Sequence, residues 1–243
     1  MPLIIWHVIA LLLAISWWFP ETLTREFWNG IDNTFFFSLN GSLAEGGGWA
    51  KMWAIANHRL FDACSALTML ILYGHYALRE NATHLVQRTA LFMWLIIISL
   101  LVVQTGKTFL EIDRFSPSKV LQPAYLLTEL FPGIDAKDKS SHSFPADHTT
   151  VLLLWTGFLW VFAGWRYGII MAIAAIVFSL PRLVSGAHWL TDSIIGAGIL
   201  VLPALAWCFF SPLCRYGENW MQRPAQWLVR LVTPVLTTRR LLR

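Results

Sequence analysis

His188 and Asp192 lie four residues apart. On a helix that spacing puts both side chains on one face. A carboxylate so placed takes the proton of one ring nitrogen and leaves the other nitrogen free to attack. This is the nucleophile-and-orienter arrangement of covalent catalysis. A second histidine, His148, is then left to protonate a departing oxygen and afterwards to activate an acceptor. Lys107, Arg114 and Arg182 add three fixed cations. The two arginines offer forked donors that match phosphate oxygens. Singly, each residue has a plainer reading: an interfacial histidine, an arginine reaching for headgroups, a surface ion pair. Their coincidence points to a phosphate or diphosphate ester as substrate, with His188 as the nucleophile.

The elements that must position these residues are helices in a membrane. Hydrophobic residues make up 56% of the chain and charged residues 13%, about half the charged share usual in a soluble domain. Fourteen tryptophans and sixteen phenylalanines suit the two interfaces of a bilayer. Apolar runs near the crossing length fall at about 3–19, 60–78, 89–106, 149–163, 168–181 and 189–210. Trp17, Trp18 and Phe19 before Pro20 read as the interfacial end of a first span, not as a cleavage site. The expectation is an all-α integral membrane protein of six transmembrane helices in a single domain, 1–243, with a basic tail from about 212. Residues 24–57 mix aromatics with glycines and charges. They read as an amphipathic segment lying in the interface between the first two spans, or as a plain connecting loop with hydrophobic anchors.

Six crossings put both termini on one side, with Arg215, Arg223, Arg230, Arg239, Arg240 and Arg243. The density of basic residues there assigns that side to the cytoplasm. Lys107, Arg114, His148, Arg182, His188 and Asp192 then all fall at the opposite face. The fourth and sixth spans start at that face, so their free amides and dipoles also favour an anion. The net charge of +4 is too small and too scattered for nucleic acid. Cys64, Cys208 and Cys214 are an odd set with no paired spacing, and they read as packing residues. His7, His58, His75 and His84 have no comparable partners.

At these residues the chain resembles the type 2 phosphatidic acid phosphatase superfamily, whose signature is K-x6-RP, PSGH and SR-x5-H-x3-D. The first part reads Lys107-Thr-Phe-Leu-Glu-Ile-Asp-Arg114-Phe-Ser-Pro117, the second Ser143-Phe-Pro-Ala-Asp-His148. The third reads Pro181-Arg182-Leu-Val-Ser-Gly186-Ala-His188-Trp-Leu-Thr-Asp192. Ala146-Asp147 replaces the family's Ser-Gly, Pro181 replaces its Ser, and the proline of the first part is displaced to Pro117. With Asn57-His-Arg59-Leu-Phe61-Asp62, these departures are similar to the branch that moves a phosphate from undecaprenyl diphosphate to the 1-phosphate of lipid A. The resemblance covers about 15–212. It implies Lys107, Arg114, Arg182 and the amides near Ala146 and Asp147 as phosphate holders. It implies His188 as the phosphohistidine, Asp192 as its orienter and His148 as acid and base. Asn57, Arg59 and Asp62 are expected to contact a substrate headgroup. The family works without cofactor or bound metal, and this branch in a Gram-negative inner membrane, with its site facing the periplasm.

Three rivals remain at this point. A hydrolase acting on undecaprenyl diphosphate or phosphatidylglycerol phosphate would share every motif. A metal or haem protein using His148, His188, Asp147 and Asp192 is opposed by three cations that would repel the metal. A transporter would carry its charges near the bilayer midplane, whereas here they cluster at span ends.

Overall fold

The computed structural model describes residues 1–79, 82–110 and 112–241, without the side chains of 82–83 and 232–241. Arg243 and the side chains of Arg239 and Arg240 therefore lie outside the described residues. Among the described residues the chain is all helical, with no strand. A segment in lipid must satisfy its backbone polar groups internally, and each apolar run becomes a helix. These are α1 (Pro2–Trp18), α4 (Arg59–Ala77), α5 (Ala82–Thr105), α8 (Asp147–Phe162), α9 (Trp165–Val184) and α10 (Ala197–Phe210). Between and after them come α2 (Leu23–Gly41), α3 (Gly47–Ala56), the single turns α6 (Pro117–Val120) and α7 (Leu127–Leu130), and α11 (Leu213–Leu241). A π-helical turn, Gly106–Leu110, continues α5, and another, Asp192–Gly196, leads into α10.

By length and composition three stretches can cross a membrane: His84–Leu110, Trp165–Val184 and Asp192–Phe210. A fourth is added if α1 and α2, bent by 82° from each other, count as one. The short member of the expected set is α8. Its 16 residues extend about 24 Å at 1.5 Å per residue, less than a hydrocarbon core of roughly 30 Å.

The main core gathers Leu152, Trp155, Phe158 and Leu159 of α8, Met171 of α9 and Leu205 of α10. Trp155 donates its indole N–H to Ser99 Oγ at 3.2 Å, which ties α8 to α5. The first half of α11 packs along α5 through Met221 and Ala225 against Ala90. Cys208 and Cys214 are buried and Cys64 is exposed.

α2 lies in the segment expected to be amphipathic or a loop, and one side of it is tied into the protein. The Thr22 side chain caps it, accepting from Arg25 N at 3.2 Å. Its buried residues are Asp32, Phe36 and Asn40, four apart, while Phe27, Phe35 and Phe37 face outward. The inward side thus carries Asp32 and Asn40 among Trp28, Phe36 and Leu39, which pack inward. Asn40 donates to the Tyr125 and Val184 carbonyls at 3.0 and 3.1 Å and accepts from Tyr125 N at 2.8 Å. Those bonds seat α2 against the end of α9. Trp17, at the end of α1, is 1% exposed and stacks on Phe144, with ring centroids 4.5 Å apart.

Candidate active site

His188 stands just past the end of α9. The Arg182 carbonyl closes the helix by accepting from Ala187 N and His188 N at 2.9 and 3.2 Å. The chain then needs a left-handed residue, and Gly186 supplies it with φ +72°. A Cβ there would also meet Phe36 at 2.7 Å and Ser118 Cβ at 3.0 Å. The turn presents His188 Nδ1 to the Ser143 carbonyl at 2.7 Å, with Asp192 Oδ2 at 3.5 Å. Both partners are acceptors, so Nδ1 carries the proton and Nε2 keeps its lone pair. Sequence spacing assigned that orienting role to Asp192; the nearer acceptor is a backbone oxygen that spacing could not show. Asp192 is fully buried behind the pair, accepting from Trp189 N at 2.8 Å through Oδ2.

The loop 143–146 joins all three motifs. Ser143 N donates to the Arg114 carbonyl at 2.9 Å, and Ala146 N donates to the Asp192 carbonyl at 3.2 Å. The close approach is allowed by Gly196, where a Cβ would lie 2.9 Å from Pro145 Cβ and 3.0 Å from Phe144. The amide of Ala146, expected at the phosphate, is thus engaged with Asp192. The first amides of α8 have no intrahelical acceptor, and no side chain caps them.

Each expected cation meets a carboxylate. Arg114 donates through Nη1 to Asp192 and to Thr191 Oγ1 at 2.9 Å, and through Nη2 to Asp32 at 2.8 Å. Its guanidinium lies 4.9 Å from the ring centroids of both Trp17 and Trp189. Arg182, 8% exposed, donates to the Asn57 carbonyl at 3.1 Å, to Asn57 Oδ1, and to Asp62 at 2.7 Å. Lys107 pairs with Asp147 at 3.1 Å. Four carboxylates therefore stand against three cations, and the large positive surplus suggested by the motifs is absent at this point. They orient the cations in advance and must share them with an incoming phosphate.

His148 occupies the head of α8, one residue before the apolar run. Its Nε2 is buried and has no partner among the described residues. Burial pushes its imidazole below the ordinary range. Asp62 pulls it back up, and Arg182, His188 and Lys137 push it further down. A buried nitrogen without a partner, within electrostatic reach of His188 and Arg182, suits proton exchange with a group brought in by the substrate.

Of the three expected headgroup residues, Asn57 is 1% exposed and also donates to the Pro181 carbonyl at 3.1 Å. Its side chain faces the protein and fixes Arg182. Asp62 is partly exposed beside the same arginine. Arg59 is open to solvent, 4.0 Å from Asp135. Sequence reasoning missed Asp32, Thr191, Ser143 and Trp17. Asp32 accepts from Thr191 N at 2.9 Å and from its hydroxyl at 2.6 Å in addition to Arg114. The one signal for it was an acid set among the aromatics of α2. Among the described residues no three His, Cys, Asp or Glu side chains converge as metal ligands.

The profile of the PAP2 superfamily, the type 2 phosphatidic acid phosphatases, matches residues 95–214, the stretch that carries all three motifs. Over 211 residues the chain is 32% identical to lipid A 1-diphosphate synthase of Escherichia coli (strain K12), spanning 87% of this chain and 88% of that protein. No solved structure matches it. The likeness runs well beyond the motifs on both sides, and this chain belongs to the PAP2 superfamily of lipid phosphatases and phosphotransferases.

Proposed function

We propose that the protein transfers the terminal phosphate of undecaprenyl diphosphate to the 1-phosphate of lipid A through a phosphohistidine on His188. The observation that carries the reading is the tautomer of His188: Nδ1 held by the Ser143 carbonyl, Nε2 left with its lone pair. In the first step Nε2 forms a bond to the terminal phosphorus and the bond to the bridging oxygen breaks. The bound anionic diphosphate favours the protonated form of His148, which gives that oxygen a proton as undecaprenyl phosphate departs. In the second step an oxygen of the lipid A phosphate attacks the phosphorus, the bond from phosphorus to His188 Nε2 breaks, and His148 takes up the proton that the acceptor releases. Lys107, Arg114 and Arg182 hold the moving phosphoryl group with the amides at the start of α8. Asp147 stands where the family has glycine, and through Lys107 it tempers the charge of the phosphate pocket.

In this reading the chain crosses the inner membrane six times, both termini are cytoplasmic, and the site faces the periplasm. A site at helix ends meets a polyprenyl headgroup without drawing its tail from lipid. No metal takes part. The choice of lipid over water as acceptor rests on the similarity to a protein named as a synthase.

The test uses purified protein with a chelator, undecaprenyl diphosphate labelled in its terminal phosphate, and lipid A. Label on lipid A is the expected outcome. Label only in free phosphate would make the protein a hydrolase and overturn the transfer.

A further inference from the structure

Beside Arg182 a cleft of about 550 Å³ opens between the start of α4 and the 135–139 loop. Arg59, Asp62, Asp135, Lys137, Lys139 and Arg182 line it. Most of its cations are occupied: Arg182 by Asn57 and Asp62, Arg59 by Asp135 at 4.0 Å, Lys139 by Glu129 at 3.7 Å. Lys137 alone among these has no acceptor among the described residues. Its charge is nonetheless felt at Arg182, Asp147 and Asp62, and at the ring of His148. It therefore lies in the cleft and close to the catalytic end.

A second space, of about 400 Å³, adjoins this one around the first turns of α4. Leu60, Phe61, Cys64 and Ile134 line it, and it is largely apolar. The two share the chain on both sides: Arg59 and Asp62 alternate with Leu60 and Phe61, and Ile134 precedes Asp135. A polar chamber beside an apolar groove suits an amphiphile.

The mixture of charges narrows which amphiphile. Four cations face three carboxylates, Asp62, Asp135 and Asp138, so little net charge is left to hold a bare diphosphate, the whole headgroup of a polyprenyl donor. Carboxylates accept from hydroxyls, and an unpaired ammonium receives a phosphate oxygen. A phosphorylated sugar carries both groups. Resting on the phosphotransfer reading above, we propose that this cleft seats the acceptor, a lipid with a phosphorylated sugar headgroup. Lys137 binds a headgroup phosphate, and an acyl chain lies along Leu60, Phe61 and Cys64. The cleft makes this acceptor more competitive than water.

Lys137→Gln, which keeps the length and loses the charge, separates the two lipids. Full steady-state kinetics of wild type and variant would be measured with undecaprenyl diphosphate as donor and lipid A as acceptor. The KM for lipid A should rise roughly 10-fold, the size of one lost charge-assisted hydrogen bond. The KM for the donor should stay within about two-fold, on the same scale. A rise in the donor KM would assign the cleft to the donor and overturn the proposal. Unchanged constants for both lipids would overturn it as well. Phe61→Ser, in the apolar groove, gives a second reading: its acceptor KM must rise too, and an unchanged value removes the groove from the account. Transfer by wild type that Lys137→Gln leaves intact would sink this inference alone. Absence of any transfer by wild type would sink the transfer reading and the cleft assignment with it.

Discussion

At Arg114, Arg182 and Lys107 the donors that would meet a phosphate are already turned toward Asp32 and Asp192, Asp62, and Asp147. Prior pairing fixes the geometry of the cations, so little reorganisation remains when charge develops on the transferred group. The spacing of His188 to Asp192 and of Lys107 to Arg114 was legible because a helix or a short loop turns spacing into position. The Ser143 carbonyl was not, because a backbone acceptor has no residue-type signature. His148 gives a prediction at this scale. Its pKa is lowered in the folded protein, with burial the largest cause. The unfolded chain therefore binds the proton first as the pH falls below the ordinary value of 6.5. The stabilising contribution of neutral His148 is complete above that pH and is lost below it, toward the lowered folded value. Between pH 7.5 and 5.5 the wild type in detergent should lose more stability than His148→Gln. Thermal unfolding of the two proteins across that range measures the difference. Parallel curves would show that His148 is not held neutral by the fold.

α2 is the element whose role changed most between sequence and structure. Composition identified a helix with exposed aromatics, and those are present at Phe27, Phe35 and Phe37. Its inward polar pair was unreadable because Asp32 and Asn40 find their partners about 80 to 160 residues further along the chain. Such pairing leaves no local pattern. The consequence is that α2 acts as a clamp: Asp32 joins Arg114 of the first motif to Thr191 of the third, while Asn40 holds the end of α9. Asp32→Ala would leave Arg114 Nη2 and both Thr191 donors without their acceptor. Removing one side of a buried ion pair costs about 3 kcal/mol or more. Displacing a positioning group of this kind lowers turnover on the order of 10²-fold. The unfolding midpoint and kcat of Asp32→Ala should therefore fall together. Turnover and midpoint both equal to wild type would remove α2 from the site.

At the scale of the whole molecule, three motifs spread over residues 107–192 meet in one place because α5, the head of α8, the end of α9 and the π turn before α10 converge on the 143–146 loop. The helical character and the runs that form the long helices were legible from hydropathy, since apolar stretches in lipid have no alternative to the helix. The number that cross was not, because α8 is short and α4 begins with Arg59 and Asp62. Short or charged ends are where a functional site displaces the ordinary pattern. The convergence has one purpose in this account: to make His188 Nε2 a nucleophile toward a lipid diphosphate. The most direct measurement exposes the purified protein to donor labelled in its terminal phosphate, quenches within the first turnover, and maps the bound label. The account predicts an acid-labile, alkali-stable phosphoramidate on the peptide that contains His188, and none in His188→Ala. Turnover by His188→Ala at the wild-type rate, or label on any other residue, would contradict it.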